Sequence, residues 1–312
     1  MLFSTYLPLV ILCVITIFII PSFSLNPSTI SFIESFSPLF GYKNVKPSDD
    51  GKSVQISMNQ WSTSGSGFVS RYAYNHGMFT ASIKLPDNNY SAGVVVTFYA
   101  QNSDYYRDEI DFEFLGHIAG EEWVLQTNLY GNGSIHRGRE ERYTLPFDPS
   151  TDFHDYGILW NTDWVVFFVD DLAIREVPNV EGMGGDFPSK PMYMYGTIWD
   201  GSDWATHKGE YRVDFQQGPF VTGYTKFNID GCQIDASQSL QTECRRYDMT
   251  PDGISENERR RMHEYRAQYM TYSYCYDTDR YPTSLPECEV IGQDMQPIAP
   301  PIMVSGASRR FR

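Results

Sequence analysis

Residues 107–116 read Arg-Asp-Glu-Ile-Asp-Phe-Glu-Phe-Leu-Gly, and acidic and apolar side chains alternate along this stretch. Because successive side chains of a β-strand point to opposite faces, the alternation predicts a strand with one wet face and one packed face. The wet face carries Glu109, Asp111 and Glu113. The packed face carries Asp108, Ile110, Phe112 and Phe114. A chain with this pattern at its centre is expected to build a sheet around it.

Three carboxylates on one strand face repel one another, so folding alone does not favour this arrangement. Chemistry can justify it, because a protonated and an ionised carboxyl group together cleave glycosidic bonds. A third acid between them can keep the proton distribution unequal. The alternative is an acidic strand that belongs to a calcium site or to a solvated face.

Short strand patterns recur between Ser53 and Phe215, separated by Gly and Pro, and no long helical period interrupts them. The predicted strands, besides the acidic one, lie at residues 54–58, 78–85, 93–99, 123–130, 156–160, 165–169, 172–177 and 192–199. Many short strands with turn signals between them predict an all-β sandwich or barrel formed by one domain.

Residues 226–290 have a different pattern. Ser255 and Glu258 form a capping box, and apolar side chains follow at helical spacing, which predicts a helix of about four turns. These side chains are Met262, Tyr265 and Tyr269. Alternating tyrosines then predict a strand that ends at residues 275–277; they are Tyr272, Tyr274 and Tyr276. Residues 291–312 show no period and are interpreted as a tail.

Residues 1–24 carry no charge and include an apolar run from Leu7 to Ile20, which predicts a signal peptide cleaved before Leu25. The alternative is an uncleaved membrane anchor. The net charge of −15 argues against a nucleic-acid partner, because proteins that bind nucleic acid are basic.

Four cysteines remain after the signal peptide, and an even number in a secreted chain predicts two disulfides with three possible pairings. They are Cys232, Cys244, Cys275 and Cys288. No Cys-x-x-Cys occurs and the histidines are scattered, so no metal site is predicted. Two sequons, at Asn89 and Asn132, are predicted glycosylation sites.

The sequence Asp-Glu-Ile-Asp-Phe-Glu-Phe-Leu-Gly at 108–116 resembles the active-site motif of plant xyloglucan endotransglucosylase/hydrolases, within glycoside hydrolase family 16. The resemblance implies that Glu109 is the nucleophile, Asp111 the helper acid and Glu113 the general acid/base. Residues 131–142 look most like the third group of that subfamily. Arg107 stands where the family motif usually has His, and His117 where it has Asn.

The resemblance covers residues 33–290 and implies a β-jelly-roll sandwich of the concanavalin type at residues 25–225. It also implies a C-terminal extension at 226–290, with a helix and a strand held by disulfides between neighbouring cysteines, 232–244 and 275–288. On a flat strand Glu109 and Glu113 would lie roughly 13 Å apart. Retaining glycosidases need about 5–5.5 Å between the carboxyl groups, so the strand is expected to be concave.

The substrate site is predicted from amides and tryptophans. Gln126 and Asn128 share one strand face, where amides suit sugar hydroxyls, although they can also bond across strands. Trp199 and Trp204 flank a Gly turn and offer flat apolar area to a sugar, although core packing is the usual role of Trp. The resemblance implies substrate contacts at Gln126, Thr127, Asn128, Gly138, Arg139, Glu140, Trp199, Trp204, Ala205, Gly209 and Arg280.

Together with this resemblance, the sequence predicts a secreted, monomeric cell-wall enzyme that cleaves xyloglucan without a cofactor and transfers the chain to another xyloglucan end or to water. It is expected to contact no membrane once the signal peptide is removed. Two alternatives remain: a hydrolase of β-1,3- or mixed-linkage glucan on the same fold, and an inactive lectin-like protein that binds the wall.

Overall fold

The computed structural model describes residues 29–234 and 253–291, and these residues form two antiparallel sheets packed face to face. Within those ranges the strands are β1 (Phe36–Phe40), β2 (Val45–Pro47), β3 (Val54–Met58), β4 (Ser66–Ser70), β5 (Ala73–Lys84), β6 (Val94–Gln101), β7 (Glu109–Leu115), β8 (Val124–Tyr130), β9 (Glu141–Tyr143), β10 (His154–Trp160), β11 (Trp164–Val169), β12 (Leu172–Pro178), β13 (Tyr193–Asp200), β14 (Phe220–Ile234) and β15 (Met270–Ser273). The helices are α1 (Phe32–Ser35), α2 (Glu256–Tyr269) and α3 (Pro286–Ile291).

The first sheet has the order β1-β4-β13-β6-β7-β8-β9-β15, and the second has the order β12-β11-β10-β5-β14-β3-β2. Strands that lie side by side in a sheet are often distant in the chain, as in a jelly roll. The all-β sandwich predicted from the sequence is confirmed. The strand with the alternating acids is β7, and it lies inside the first sheet between β6 and β8.

The packed face of β7 forms the centre of the core between the sheets. Ile110, Phe112 and Phe114 are fully buried there. The ring of Phe112 meets Phe167 edge to face at 5.2 Å, and that of Phe114 meets Tyr156 at 4.7 Å. Each buried aromatic ring of this kind stabilises the fold by about 1.5–3 kcal/mol. This packing sets the faces of β7, and it directs the three acids outward.

Asp108 is the polar member of the inward-facing set and is 1% exposed. Its carboxylate accepts hydrogen bonds from the backbone N–H groups of Asn132, Ser189 and Lys190 at 2.7–2.9 Å. Buried carboxylates need such partners, and here they join two loops to the start of β7.

The predicted C-terminal helix is α2, and its capping box is present. The Ser255 side chain accepts from the Glu258 backbone N–H, and the Glu258 side chain accepts from the Ser255 N–H. Met262 is buried with Val166 and Phe168 of the second sheet, so α2 covers the outer face of that sheet. Arg266 is also buried, and its guanidinium bonds Glu141 at 2.6 and 2.8 Å.

One detail of the extension differs from the sequence prediction. The tyrosine strand is shorter than predicted: β15 ends at Ser273, and residues 274–276 form a 3-10 turn, so Tyr274 and Tyr276 are not strand residues. The Ser273 side chain accepts from the Cys275 N–H, which favours this turn. The predicted boundary between residues 225 and 226 falls inside β14, which pairs with β5 on both sides of it.

The Cys275–Cys288 disulfide is confirmed and joins the turn after β15 to α3. Cys232 lies in β14, and its predicted partner Cys244 lies outside the described residues, as do the predicted signal peptide and tail. In the described part of the chain, none of the helices is long and apolar enough to cross a membrane.

Candidate active site

Glu109, Asp111 and Glu113 share the outer face of β7, as the alternation predicts, and neighbouring strands bring polar and aromatic side chains beside them. Glu113 lies opposite Thr97 of β6 and Gln126 of β8. Arg142 of β9 and Tyr272 of β15 continue the same row across the sheet.

Glu113 is one of two carboxyl groups in the trio whose protonated form the site favours. Burial raises its pKa to about 7, with the negative charges of Glu109 and Glu140 acting in the same direction. The amide of Gln126 opposes this, because its Nε2 donates to Glu113 Oε2 at 2.6 Å. Since an ordinary glutamate has a pKa near 4.5, Glu113 carries a proton at mildly acidic pH and can act as an acid.

Glu109 is surrounded by donors. Gln101 Nε2 and the Tyr130 hydroxyl donate to its carboxylate. Arg107 Nε lies 3.5 Å from Glu109 Oε2 and also donates to the Tyr130 hydroxyl oxygen at 3.2 Å. Arg107, which replaces the usual His of the motif, therefore lies on the carboxylate side of the strand. These groups orient Glu109 at one end of the trio.

Asp111 lies between the two glutamates and is 5% exposed. Burial raises its pKa well above the usual range, and the charges of Glu109 and Glu113 raise it further. Asp111 also shares a hydrogen bond with Glu109. A protonated Asp111 donates to Glu109, so the three acids hold their protons unequally.

Aromatic side chains line the same face beside Asp111. Tyr99 of β6 is the cross-strand neighbour of Asp111, and its ring stacks on that of Tyr195 at 4.8 Å and 13°. Burial is the main cause that raises the pKa of Tyr99, so its hydroxyl remains protonated. Such rings present flat apolar area together with a donor.

The predicted tryptophans lie on the β13 side of the acids. Trp199 and Trp204 are half-buried with ring centroids 6.1 Å apart, and they pack with Ala205 on Val95. Gly209 closes their loop at φ +87°, and a Cβ there would lie 2.3 Å from the Asp203 carbonyl oxygen. Ala205, 7% exposed, and Gly209 shape this loop and thereby hold the two indoles.

Glu140 and Arg280 lie on the opposite side of β7 from the tryptophans. Arg280 Nη1 donates to Glu140 Oε2 at 2.5 Å, which joins the extension to the cleft, the outer face of the first sheet that carries the three acids. Gly138 is buried beside them, and a Cβ there would lie 2.5 Å from Glu140 Oε1. Asn128 is the cross-strand neighbour of Asp111, and its Oδ1 accepts from the Arg139 backbone N–H at 2.8 Å.

The side chains of two residues predicted to contact substrate, Thr127 and Arg139, are buried away from the acids. Thr127 is fully buried on the inner face of β8, where Arg175 donates to its hydroxyl at 2.8 Å. Arg139 is 1% exposed, and its guanidinium bonds Asp186 and Glu287 instead of reaching the cleft. Both residues stabilise the interior behind the site.

Sequence reasoning missed several residues that face the acids: Thr97, Tyr99, Gln101, Tyr130, Arg142, Tyr195 and Tyr272. The strand predicted at residues 93–99 contained a usable signal, because Val95, Thr97 and Tyr99 share one of its faces. Among residues 29–234 and 253–291, no group of three or more His, Cys, Asp or Glu side chains is arranged to hold a metal ion.

Comparison with known families gives two matches. Residues 32–217 match the model of glycosyl hydrolases family 16, and residues 237–288 match the model of the xyloglucan endo-transglycosylase C-terminus.

Similar proteins include two from Arabidopsis thaliana, the probable xyloglucan endotransglucosylase/hydrolase proteins 30 and 28. The first is 48% identical over 274 residues, which cover 85% of this chain and 79% of that protein. The second is 50% identical over 267 residues, which cover 84% and 80%. Among solved structures, Crh5 transglycosylase in complex with NAG is similar in fold, with a TM-score of 0.52 and 22% identity over 65% of this chain and 83% of that one.

Proposed function

Because the chain belongs to glycosyl hydrolases family 16 and carries the C-terminal region of xyloglucan endo-transglycosylases, we propose that it cleaves and rejoins xyloglucan. The observation that carries the proposal is the unequal protonation of the three acids on β7, Glu109, Asp111 and Glu113. Glu113 has a pKa raised to about 7, while Glu109 lies among donors at the other end.

In the first step, Glu109 attacks the anomeric carbon of a backbone glucosyl unit while Glu113 protonates the leaving glycosidic oxygen. The bond to the leaving chain breaks and a covalent glycosyl-enzyme forms. Asp111 donates its hydrogen bond to Glu109 before the attack, and it stabilises the released carboxylate when Glu109 leaves again.

In the second step, Glu113 has lost its proton and acts as the base. It removes the proton from an incoming sugar hydroxyl or from water, and that oxygen attacks the anomeric carbon and displaces Glu109. Transfer results when the incoming hydroxyl belongs to another xyloglucan end, and hydrolysis results when it belongs to water.

The polysaccharide substrate is supported by the face around the acids. Trp199 and Trp204 lie on the β13 side, and the Glu140–Arg280 pair lies on the far side beyond β8. This arrangement offers apolar and polar contacts on both sides of the reacting bond. It suits a chain that continues beyond the cleavage point in both directions.

Incubation of the secreted protein with xyloglucan tests the proposal, with and without short fluorescent xyloglucan fragments. Size separation of the products should show label in long chains if transfer occurs, and shortened unlabelled chains if hydrolysis occurs. Mixed-linkage glucan and β-1,3-glucan are the comparison substrates in the same assay. Preferential cleavage of either of them would favour the alternative hydrolase, and binding to xyloglucan without any product would favour the lectin.

We also propose that the protein is secreted to the cell wall as a monomer. An apolar, uncharged segment at residues 1–24 is typical of a signal peptide, and the domains follow at 25–225 and 226–290, with a tail at 291–312. Amino-terminal sequencing of the secreted protein that begins at Leu25 would support this, and light scattering would report its oligomeric state.

Two modifications accompany secretion. Asn89 and Asn132 are exposed and lie in loops, which supports N-glycosylation at both. Cys232 pairs with Cys244 in this proposal, as neighbouring cysteines of the family do. Mass spectrometry of the secreted protein before and after reduction tests the glycans and the disulfide together.

A further inference from the structure

A row of hydrogen bonds leads from the catalytic acid to the C-terminal extension. Gln126 Nε2 donates to Glu113 Oε2 at 2.6 Å, and Arg142 Nε donates to Gln126 Oε1 at 2.7 Å. The guanidinium carbon of Arg142 lies 5.6 Å from the centre of the Tyr272 ring. Tyr272 belongs to β15, and its hydroxyl donates to Asp277 at 2.8 Å.

The direction of these bonds follows from the chemistry of arginine. A guanidinium has donors and no acceptor, so it can pair only with the oxygen of the Gln126 amide. The amide nitrogen must then face Glu113. Rotation of the amide by half a turn would place its N–H groups against those of Arg142, which would leave donors unpaired. Arg142 therefore determines that the amide nitrogen of Gln126, and not its oxygen, bonds to Glu113.

This orientation has a consequence for the proton of Glu113. Because Oε2 accepts the amide N–H, the acidic proton of Glu113 belongs on the other carboxyl oxygen, Oε1. If the amide were free to rotate, its oxygen could accept that proton in a hydrogen bond. The proton would then point toward Gln126 instead of toward a glycosidic oxygen.

We propose that Arg142 is a positioning residue for the acid/base: it locks the Gln126 amide as a donor and so keeps the transferable proton of Glu113 on Oε1. Tyr272 of the extension holds the guanidinium in place, which gives the C-terminal region a part in the chemistry. The inference rests on the proposed cleavage of xyloglucan.

Among the ionisable groups around Glu113, Arg142 is the one that is placed to orient the Gln126 amide. The ionisable groups that face Glu113 from its own strand and its neighbours are Glu109, Asp111, Tyr99, Glu140 and Arg142. Arg280 is engaged by Glu140. Among the residues that the structure describes, no carboxylate lies within ion-pair distance of Arg142, so its guanidinium is available to the amide.

The test compares Arg142→Met, which removes the donor, with Arg142→Lys, which replaces it with another group that only donates. Arg261→Met is the matched control, because Arg261 is exposed on α2 and its loss makes the same change in charge. For Arg142→Met we expect kcat on xyloglucan to fall about tenfold with KM within about twofold, because acid–base catalysis loses alignment. Arg142→Lys should recover most of kcat.

The pH profile separates positioning from a merely structural role. The Gln126 bond and the Arg142 charge both lower the pKa of Glu113, so their loss should move the alkaline limb of kcat/KM to higher pH. Arg142→Lys should keep the limb near its original place. An unchanged limb in Arg142→Met, or an effect confined to KM, would overturn the inference.

A second readout is independent of turnover. The carboxyl ¹³C signal of Glu113, assigned by its absence in Glu113→Gln, should titrate at higher pH in Arg142→Met than in the parent protein and in Arg261→Met. If the parent protein cleaves no xyloglucan, the proposed function fails while this titration still tests the hydrogen-bond row. Identical titrations in Arg142→Met and the parent would refute the row itself.

Discussion

In the proposed mechanism the protonation of Glu113 sets the alkaline limit of activity, and this limit is the most direct test of the site. Burial raises the pKa of Glu113 from 4.5 to about 7. At pH 6 a carboxyl group with a pKa of about 7 is roughly 90% protonated, whereas one with a pKa of 4.5 is about 3% protonated. The buried position therefore makes the acid form about 30-fold more abundant at that pH.

The expected profile follows from this ratio. Because the leaving oxygen needs the proton of Glu113, kcat/KM on xyloglucan should fall above about pH 7, by about tenfold per pH unit. The kcat/KM profile reports the pKa values of the protein without substrate. The three acids titrate as one coupled group, and Glu113 dominates the alkaline side of the profile. Initial rates between pH 4 and 9 measure it, with circular dichroism at each pH to confirm that the protein stays folded.

A substrate with a dinitrophenyl leaving group provides the control, because such a group departs without protonation. With a dinitrophenyl xyloglucan oligosaccharide, the first step should lose the alkaline limb. If the limb persists with that substrate, a group other than Glu113 causes it. If the limb on xyloglucan lies near pH 5, burial does not raise the pKa of Glu113 and the reasoning is refuted.

Four further changes test other parts of the structure. Glu109→Gln should lower turnover at least about 10³-fold with an unchanged melting temperature, because the nucleophile is lost; near-normal rates would remove Glu109 from that role. Glu113→Gln should stabilise the protein at pH 8 and leave it unchanged at pH 4, because a raised folded pKa gives stability that is complete below pH 4.5 and lost as the pH rises through about 7; equal melting curves at pH 8 would contradict this. Arg266→Met should cost about 3–5 kcal/mol in urea unfolding, because Glu141 would keep a buried charge without the nearer of its two arginine partners; a loss below about 1 kcal/mol would argue against it. Ser255→Ala should cost about 1 kcal/mol of unfolding free energy through the lost cap, while Ser255→Asp should retain the cap.

The sequence by itself determined the features that depend on local geometry. Alternation with period two assigned Glu109, Asp111 and Glu113 to one face of β7, because neighbouring side chains of any strand point to opposite sides. The capping box at Ser255 placed the start of α2 for the same kind of reason, since its hydrogen bonds span three residues.

Only the tertiary structure decided how the three acids differ. Glu113 and Asp111 have raised pKa values because side chains of the neighbouring strands remove water from them, and desolvation depends on everything that packs nearby. It also decided which motif residues reach the cleft. Thr127 and Arg139 occur within motif segments, yet both are buried on the inner side.

The contacts of Arg142 show the physical reason most clearly. Gln126, Arg142 and Tyr272 come from three strands, and the last two residues are brought together by the pairing of β9 with β15. No local pattern encodes the register between segments so distant in the chain, because it results from the pairing of β15 with the first sheet and the packing of α2 on the second. The sequence therefore identified the acids, and long-range packing determined which of them holds a proton and which side chains orient it.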